Sequence, residues 1–459
     1  MANKISRQQI EILRSQVKEP TSVLYPDSEG YDNSLERWSE VGFQRAGVVM
    51  RPTNTEDLAI TVRFARDNRL DLAVKGGGHS TDTSSTSDGG ILIDLGGMRH
   101  VSVNSADSTV TAQGGALWKD FVARPATQGS GGLTVRGGYG YLTPEHGLVL
   151  DNLLSAKVVT ADGQVLNASA NEHPDLFWAI RGAGANVGVA AELTFQAHKQ
   201  ANKVWCGTMM FTVDKLTEVV EALNGALVHP QGKAAAQCVF GLSPDTGAPV
   251  ITTVLFFNGP EEEGRVHFSS LVNLECIGMD MEMKPYAEAN TMLDEAMPPG
   301  GRKKTIGVKF ASHIRPEFAS ELMAEFGRKL ATAPELAKTC LEIDCFDLSK
   351  VYGVPVTETA FPSRTKTLNG AILLQWADSS KDQDFIAWGE AIQDICDDEL
   401  RRAGHEPDKL VSTFFGYTQD DNMTPEEMFG VNADALLKVK REYDPEDVFN
   451  KLNPLGLSG

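Results

Sequence analysis

Asp71-Leu72-Ala73-Val74-Lys75-Gly76-Gly77-Gly78-His79-Ser80 reads as a short strand running into a triple-glycine loop that ends on a histidine. Glycine lets backbone approach a ligand closely and turn its N–H groups toward an anion. A lone histidine is usually a structural or surface residue. This one follows three glycines at a strand end, where its imidazole can sit beside whatever those N–H groups bind. Upstream, Thr53-Asn54-Thr55-Glu56-Asp57 places a helix N-terminus with acid in the first turn, continued by Leu58, Val62 and Ala65 and ended by Asn68 to Leu70. Downstream, a Ser/Thr/Asp/Gly loop (81–90) leads into an apolar strand, Ile91-Leu92-Ile93-Asp94-Leu95. Val101-Ser102-Val103 and Thr109-Val110-Thr111 alternate as paired strands, and 157–160 and 164–166 form a hairpin about Asp162-Gly163. Leu176 to Arg181 reads as a short helix and Val187 to Phe195 as a further strand.

The opening loop is one of several. Of 43 glycines, 20 fall in the 113 residues from Gly76 to Gly188, grouped at 76–78, 114–115, 129–140 and 182–188. Two readings stay open: tight turns in a β-rich domain, or loops around one extended ligand carrying a pyrophosphate. A Rossmann site fails on spacing, because 182–188 is G-x-G-x-x-x-G and follows a helix. No P-loop occurs, and the nine histidines form no H-x-x-x-H pair, so a metal site is not expected.

After about residue 200 the texture changes. Amphipathic helices are expected near 213–227, 261–274, 316–333 and 383–404, interleaved with strands such as 250–256 and 370–376. A helix at about 432–442 follows. The 42 basic and 62 acidic residues give a net charge of −20, which repels phosphate backbones and anionic lipid, so neither nucleic acid nor membrane is an expected partner. The N-terminus has no apolar signal region and no stretch is long enough to span a bilayer, so a cytoplasmic or organelle-lumen location is expected. The six cysteines, none before Cys206, match no zinc or disulfide pattern and read as reduced, buried thiols.

Taken in order, Lys75–Ser80, Gly114-Gly115-Ala116-Leu117-Trp118, the run Gly147 to Ala156, Val159-Thr160-Ala161-Asp162-Gly163, Asp175 to Gly182 and the tail Asn432…Lys440 to Phe449 resemble the berberine-bridge-enzyme-like flavin-linked oxidoreductases of the vanillyl-alcohol-oxidase superfamily. The resemblance implies an α+β fold: a two-part PCMH-type FAD-binding domain (1–200, with a C-terminal return at 411–459) and a separate α+β substrate domain (201–410). It implies FAD bonded through its 8α-methyl carbon to His79. It also implies cofactor contacts at Lys75, Gly76, Gly77, Gly78, Ser80, Gly137, Gly138, Gly140, Gly147, Val189 and Asn432. The implied reaction takes hydride from a C–H beside a hydroxyl or amine of a small organic molecule, with electrons passing to molecular oxygen or another acceptor. Tyr417 is the implied catalytic base, or alternatively an aromatic packed under the flavin or in the core. Asn432 lies near the ring in this reading, or simply caps the helix after it.

The chain departs from the family at one place. The segment from Trp118 to Gly131 is short and has no cysteine, so a second covalent attachment there is excluded. Arg136 replaces a glycine, which implies a strained or blocked loop, or a guanidinium that reaches the pyrophosphate. Phe429 stands where relatives often have tyrosine. A cofactor-impaired member, or a mis-joined gene model with a binding or structural role, is the alternative these departures raise.

Overall fold

Asn54 accepts a hydrogen bond from the backbone N–H of Asp57 at 2.9 Å and so caps the helix Thr55–Asp67. That helix covers the first of three sheets. In this computed structural model, residues 3–121, 130–200, 203–228, 232–292, 297–405 and 423–456 are described. The first sheet holds β1 (Ser22–Leu24), β2 (Val48–Arg51), β3 (Leu72–Lys75) and β4 (Ile91–Asp94) in the order β1-β2-β4-β3, with β2 and β3 parallel to β4. The second is antiparallel: β5 (Val101–Asn104), β6 (Thr109–Gln113), β7 (Leu153–Val159), β8 (Val165–Ser169) and β9 (Val189–Gln196), ordered β5-β6-β9-β7-β8. The β7–β8 hairpin turns at Gly163, whose φ of +76° only glycine adopts without strain.

The third sheet holds β10 (Val204–Thr212), β11 (Ala234–Leu242), β12 (Pro249–Phe257), β13 (Gly278–Lys284), β14 (Arg302–Phe310), β15 (Cys340–Phe346) and β16 (Leu368–Trp376). Its seven strands run β13-β10-β12-β11-β15-β16-β14, antiparallel throughout. Strand side chains alternate between faces. Phe240, Ile306, Val308, Leu341 and Ile343 therefore share one face, packed in a single cluster with Val219, Phe318, Leu322, Phe326, Phe385 and Ile392. Those last residues come from the helices Leu216–Val228, Pro316–Thr332 and Asp382–Arg402. The opposite face carries Gln237, Glu342 and Asp344 beside Ala235, Phe256 and Phe346, which pack in one cluster with Leu153, Val158 and Leu193 of the second sheet.

The C-terminal residues return to those sheets. Phe449 packs in the cluster that holds Val159 and Val189, and the Asn186 amide donates to the carbonyls of Leu452 and Asn453 at 2.9 and 3.0 Å. Lys440 is fully buried and paired with Asp444 at 2.6 Å and Asp447 at 2.9 Å.

The helices expected near 213–227, 316–333, 383–404 and 432–442 occur, as do the strands at 250–256 and 370–376. One element differs. The expected helix over 261–274 is two, Glu261–His267 and Ser269–Val272, because buried Phe268 leaves helical geometry (φ −94°, ψ 22°) to enter the core. Val187 also precedes its strand, since Gly184–Asn186 forms a 3₁₀ turn first.

Candidate functional site

The strand β3 delivers its triple-glycine loop to the edge of the cleft between the small sheets and the polar face of the large one. His79 is stacked on Trp38, with ring centroids 4.2 Å apart and planes 13° from parallel. The loop is pinned from behind. The backbone N–H of Trp38 donates to the Gly78 carbonyl at 2.9 Å, and the buried Arg37 guanidinium donates to the carbonyls of Ser80 and Asp82, both at 2.6 Å. Ser80 donates to the Asp82 carboxylate at 2.8 Å. The large sheet meets this loop through Lys303, whose ammonium lies 5.1 Å from the Trp38 ring centroid, and through Thr305, whose N–H donates to Thr81. Burial, aided by the positive charge of Lys303, pushes the His79 imidazole down to about 4. At neutral pH it is uncharged and keeps a ring-nitrogen lone pair.

Lys75 is turned away from the cleft. Its ammonium is buried against Asp94 at 3.5 Å and donates to the carbonyls of Ser34 and Glu36. Its side chain braces the strand end, leaving its backbone for a cofactor contact. Gly78 has a left-handed φ of +71°, and Gly77 is exposed beside it. Gly76 lies half-buried next to the Gly114 carbonyl.

The second glycine group is spent differently from the ligand-facing reading. The N–H groups of Gly137, Gly140 and Gly147 donate within their own turns, to Thr134, Thr143 Oγ1 and Thr143 respectively. A Cβ on Gly137 would meet the Phe361 ring at 2.9 Å, and one on Gly138 would meet Val149 at 2.6 Å. Gly182 packs directly on the Phe361 backbone. Gly137 and Gly182 thus admit the 356–364 connection of the large sheet, and Gly138 admits Val149. Arg136 is not in a left-handed conformation, so the expected strain is absent there; the left-handed positions are Gly137 (φ +125°) and Gly138 (φ +86°). Its guanidinium is lowered to about 10 by burial, with the Asp82 charge opposing. Its electrostatic partner is thus the loop that carries His79.

Asn432 is 1% exposed and donates to the carbonyls of Val356 and Thr359 at 2.9 and 3.1 Å. It makes no side-chain cap on the helix Ala433–Tyr443, so the capping alternative is overturned. The amide holds the same 356–364 connection, which Arg364 also anchors by a two-toothed pair with Asp151 at 2.6 and 3.2 Å. Val189 is buried in β9 opposite Val159, leaving only its backbone for a ligand. Tyr417 and the centre of the short 118–131 segment, residues 122–129, lie outside the described residues.

The polar face of the large sheet supplies residues that sequence reading missed. Register places Gln237 of β11, Asp344 of β15, Asn369 of β16 and Lys309 of β14 in one row across four adjacent strands. The next row holds Val239, Glu342, Ala371 and Gly307. Gln237 donates to Asp344 at 3.0 Å and also to Glu342, and accepts from the Tyr141 hydroxyl at 3.3 Å. Tyr141 in turn stacks on Phe256 with centroids 5.1 Å apart. Glu342 and Asp344 are hydrogen-bonded neighbours; burial and then the Asp344 charge raise Glu342 well above the carboxylate range, while burial raises Asp344 against the opposing hydrogen bonds from Gln237 and Glu342. One proton shared by two acids is the state this favours, with Glu342 the more exposed member. The signal was present in Cys340-Leu341-Glu342-Ile343-Asp344-Cys345: two acids at alternate positions in a strand whose other face is apolar.

A model of the FAD binding domain matches residues 46–169, and a model described as berberine and berberine like matches 413–454. The FAD-linked oxidoreductase pgmH of Aspergillus terreus is 30% identical, over 98% of this chain and 96% of its own length. The (R)-6-hydroxynicotine oxidase of Paenarthrobacter nicotinovorans is 28% identical over 93% of this chain and 94% of its own. Among solved structures, 6-hydroxy-D-nicotine oxidase from Arthrobacter nicotinovorans matches with a TM-score of 0.78 at 26% identity, covering 95% of this chain and 98% of that one. A BBE-like protein of Physcomitrella patens shares the fold at a TM-score of 0.84 and 18% identity, covering 98% and 99%. Coverage near the full length of both partners argues against a cofactor-impaired or mis-joined chain.

Proposed function

The chain belongs to the berberine-bridge-enzyme-like FAD-linked oxidoreductases, and from that membership we propose that it oxidises a small molecule at a C–H beside a hydroxyl or amine. Bound FAD supplies the hydride acceptor and relays electrons, in our reading to molecular oxygen. The observation that carries the proposal is a glycine loop bearing a neutral, half-buried His79, met through Lys303 and Thr305 by the same sheet that carries the hydrogen-bonded acid pair Glu342 and Asp344. An uncharged imidazole with a lone pair fits covalent attachment of the flavin. Trp38 holds that ring in one plane, and Arg37 fixes the loop that carries it. Glu342 and Asp344 take up the proton that the substrate's hydroxyl or amine gives up, because one of the two is deprotonated near neutral pH and desolvated enough to be a base. Tyr417, by its place in the C-terminal segment, is a second proton-transfer candidate. A relative named for 6-hydroxynicotine supports an amine donor within this class. The division into 1–200, 201–410 and 411–459 is likewise our reading, with the cleft between the sheets as the shared site.

The test is direct. Purified protein should be yellow and keep its flavin on the polypeptide after acid denaturation. His79→Ala should bind flavin that denaturation releases. Flavin that stays attached in the variant would remove His79 as the linkage, and a colourless wild-type protein that takes up no added FAD would sink the functional reading.

A further inference from the structure

Lys309 poses a problem that the proposed reaction does not absorb. It is 2% exposed, and its ammonium donates to the hydroxyls of Ser363 at 2.7 Å and Thr365 at 3.0 Å. Asp397 is the carboxylate whose charge acts on it, opposing the effect of burial. A buried cation held by two hydroxyls, with Asp397 acting through its charge alone, gains from an anion that hydrogen-bonds to it directly. Two of its three hydrogens are used, so one remains. Register puts Lys309 directly beside Asn369, and Asn369 directly beside Asp344. Asn369 is 1% exposed, and its amide nitrogen makes no hydrogen bond of good geometry to the described residues, although the Tyr139 hydroxyl approaches this side chain. One lysine hydrogen and an amide nitrogen without a hydrogen bond of good geometry therefore lie on one side of the acid pair, on the same face. Gly307 and Ala371, small residues, occupy the neighbouring row beside Glu342.

We propose that Lys309 and Asn369 form the acceptor-binding half of the substrate site, so that the substrate is bifunctional. Its hydroxyl or amine faces Glu342 and Asp344, and a carboxylate, phenolate or other anionic oxygen faces Lys309 and Asn369. Adjacent strands are about 4.8 Å apart, so the two ends of the substrate are separated by roughly 5–10 Å, about the span of a single substituted ring. The proposal rests on the functional reading above for the identity of the acid pair's partner. The same donors could serve the polar edge of the cofactor instead, and the experiment separates the two.

The probes are 4-hydroxybenzoate, with a hydroxyl and a carboxylate at opposite ends of one ring, and phenol, which lacks the carboxylate. Binding to the holoenzyme is read from the flavin absorbance spectrum and from thermal shift. We expect 4-hydroxybenzoate to bind roughly 10–100-fold tighter than phenol, the range for a hydrogen-bonded charge. Lys309→Met should abolish that advantage, with phenol affinity and flavin content unchanged; Asn369→Leu should reduce it. Equal affinity in the wild type, or no binding of 4-hydroxybenzoate at all, overturns the proposal even if neither variant folds. An advantage that survives in Lys309→Met overturns it too. Loss of flavin from Lys309→Met with ligand preference intact assigns the donors to the cofactor and also overturns it. A wild type without flavin defeats the functional reading alone, since thermal shift with the two ligands still decides the half-site.

Discussion

Single ionisable groups in the cleft have titrations set by burial, and two of them give pH signatures. Lys309 is lowered to about 7 by burial. Its unfolded value is that of an ordinary lysine, so between those two values the unfolded chain holds more protons and stability rises with pH. The cost of burying the charge is fully present below about pH 7 and is relieved as pH climbs. Lys309→Met should therefore be more stable than wild type at neutral pH, with the gap in Tm narrowing toward pH 10; a pH-independent gap would contradict this. The acid pair runs the other way. Its raised values favour the protonated pair, so its contribution is present below the ordinary carboxylate range and is lost as pH rises through the raised range. Glu342→Gln should flatten that limb of the Tm profile and lower kcat by about 10²–10⁴, the usual share of a general base. A kcat within twofold of wild type would relieve Glu342 of the role.

The turns and connections between elements show why some of the site was legible and some was not. The β3 loop could be read from Gly76–His79 because everything that shapes it is local in sequence. The roles of Gly137 and Gly182 could not, because their partner is Phe361, some 180–220 residues away, and only the folded chain brings the three together. Likewise the acids of β15 look, in sequence, like the wetted side of a strand. Gln237 turns them into a buried cluster, and it belongs to another strand, which register alone aligns with Asp344. Arg136 misled for the opposite reason: the glycine it replaces suggested a left-handed backbone, whereas that requirement falls on the next two residues. A test at this scale is Gly182→Val. At φ +128° and in contact with the Phe361 backbone, the substitution combines strain with overpacking, each about 1–3 kcal/mol. We expect a large fall in Tm, whereas Gly140→Ala, whose Cβ meets open space, should be close to neutral by the same measurement.

Across the whole molecule, the C-terminal segment acts as a clasp on the first two sheets. Its anchor is a lysine with no solvent contact, paired to Asp444 and Asp447 and donating to the Phe449 carbonyl at 2.9 Å. Asp444 also accepts the N–H groups of Val448 and Phe449, both at 2.8 Å. Removing one partner of a buried pair leaves the other uncompensated, at about 3–5 kcal/mol. Asp444→Ala should thus release the tail and expose Phe449, read as new proteolytic cleavage after residue 443 and an earlier melting transition. A variant with wild-type protease resistance would show that the tail is held by apolar packing alone.

The large sheet keeps its two faces separate, and that alternation shapes how such a molecule can change over generations. Each strand devotes one set of positions to the apolar cluster and the interleaved set to the cleft. Leu341 and Ile343 hold the helices, while Glu342 and Asp344 between them face the other way. Replacing a cleft residue alters what is bound with little disturbance to the packing one residue away. New chemistry can therefore be sampled on this surface position by position, at Gln237, Lys309, Glu342 and Asn369, while the scaffold that pays for folding stays intact.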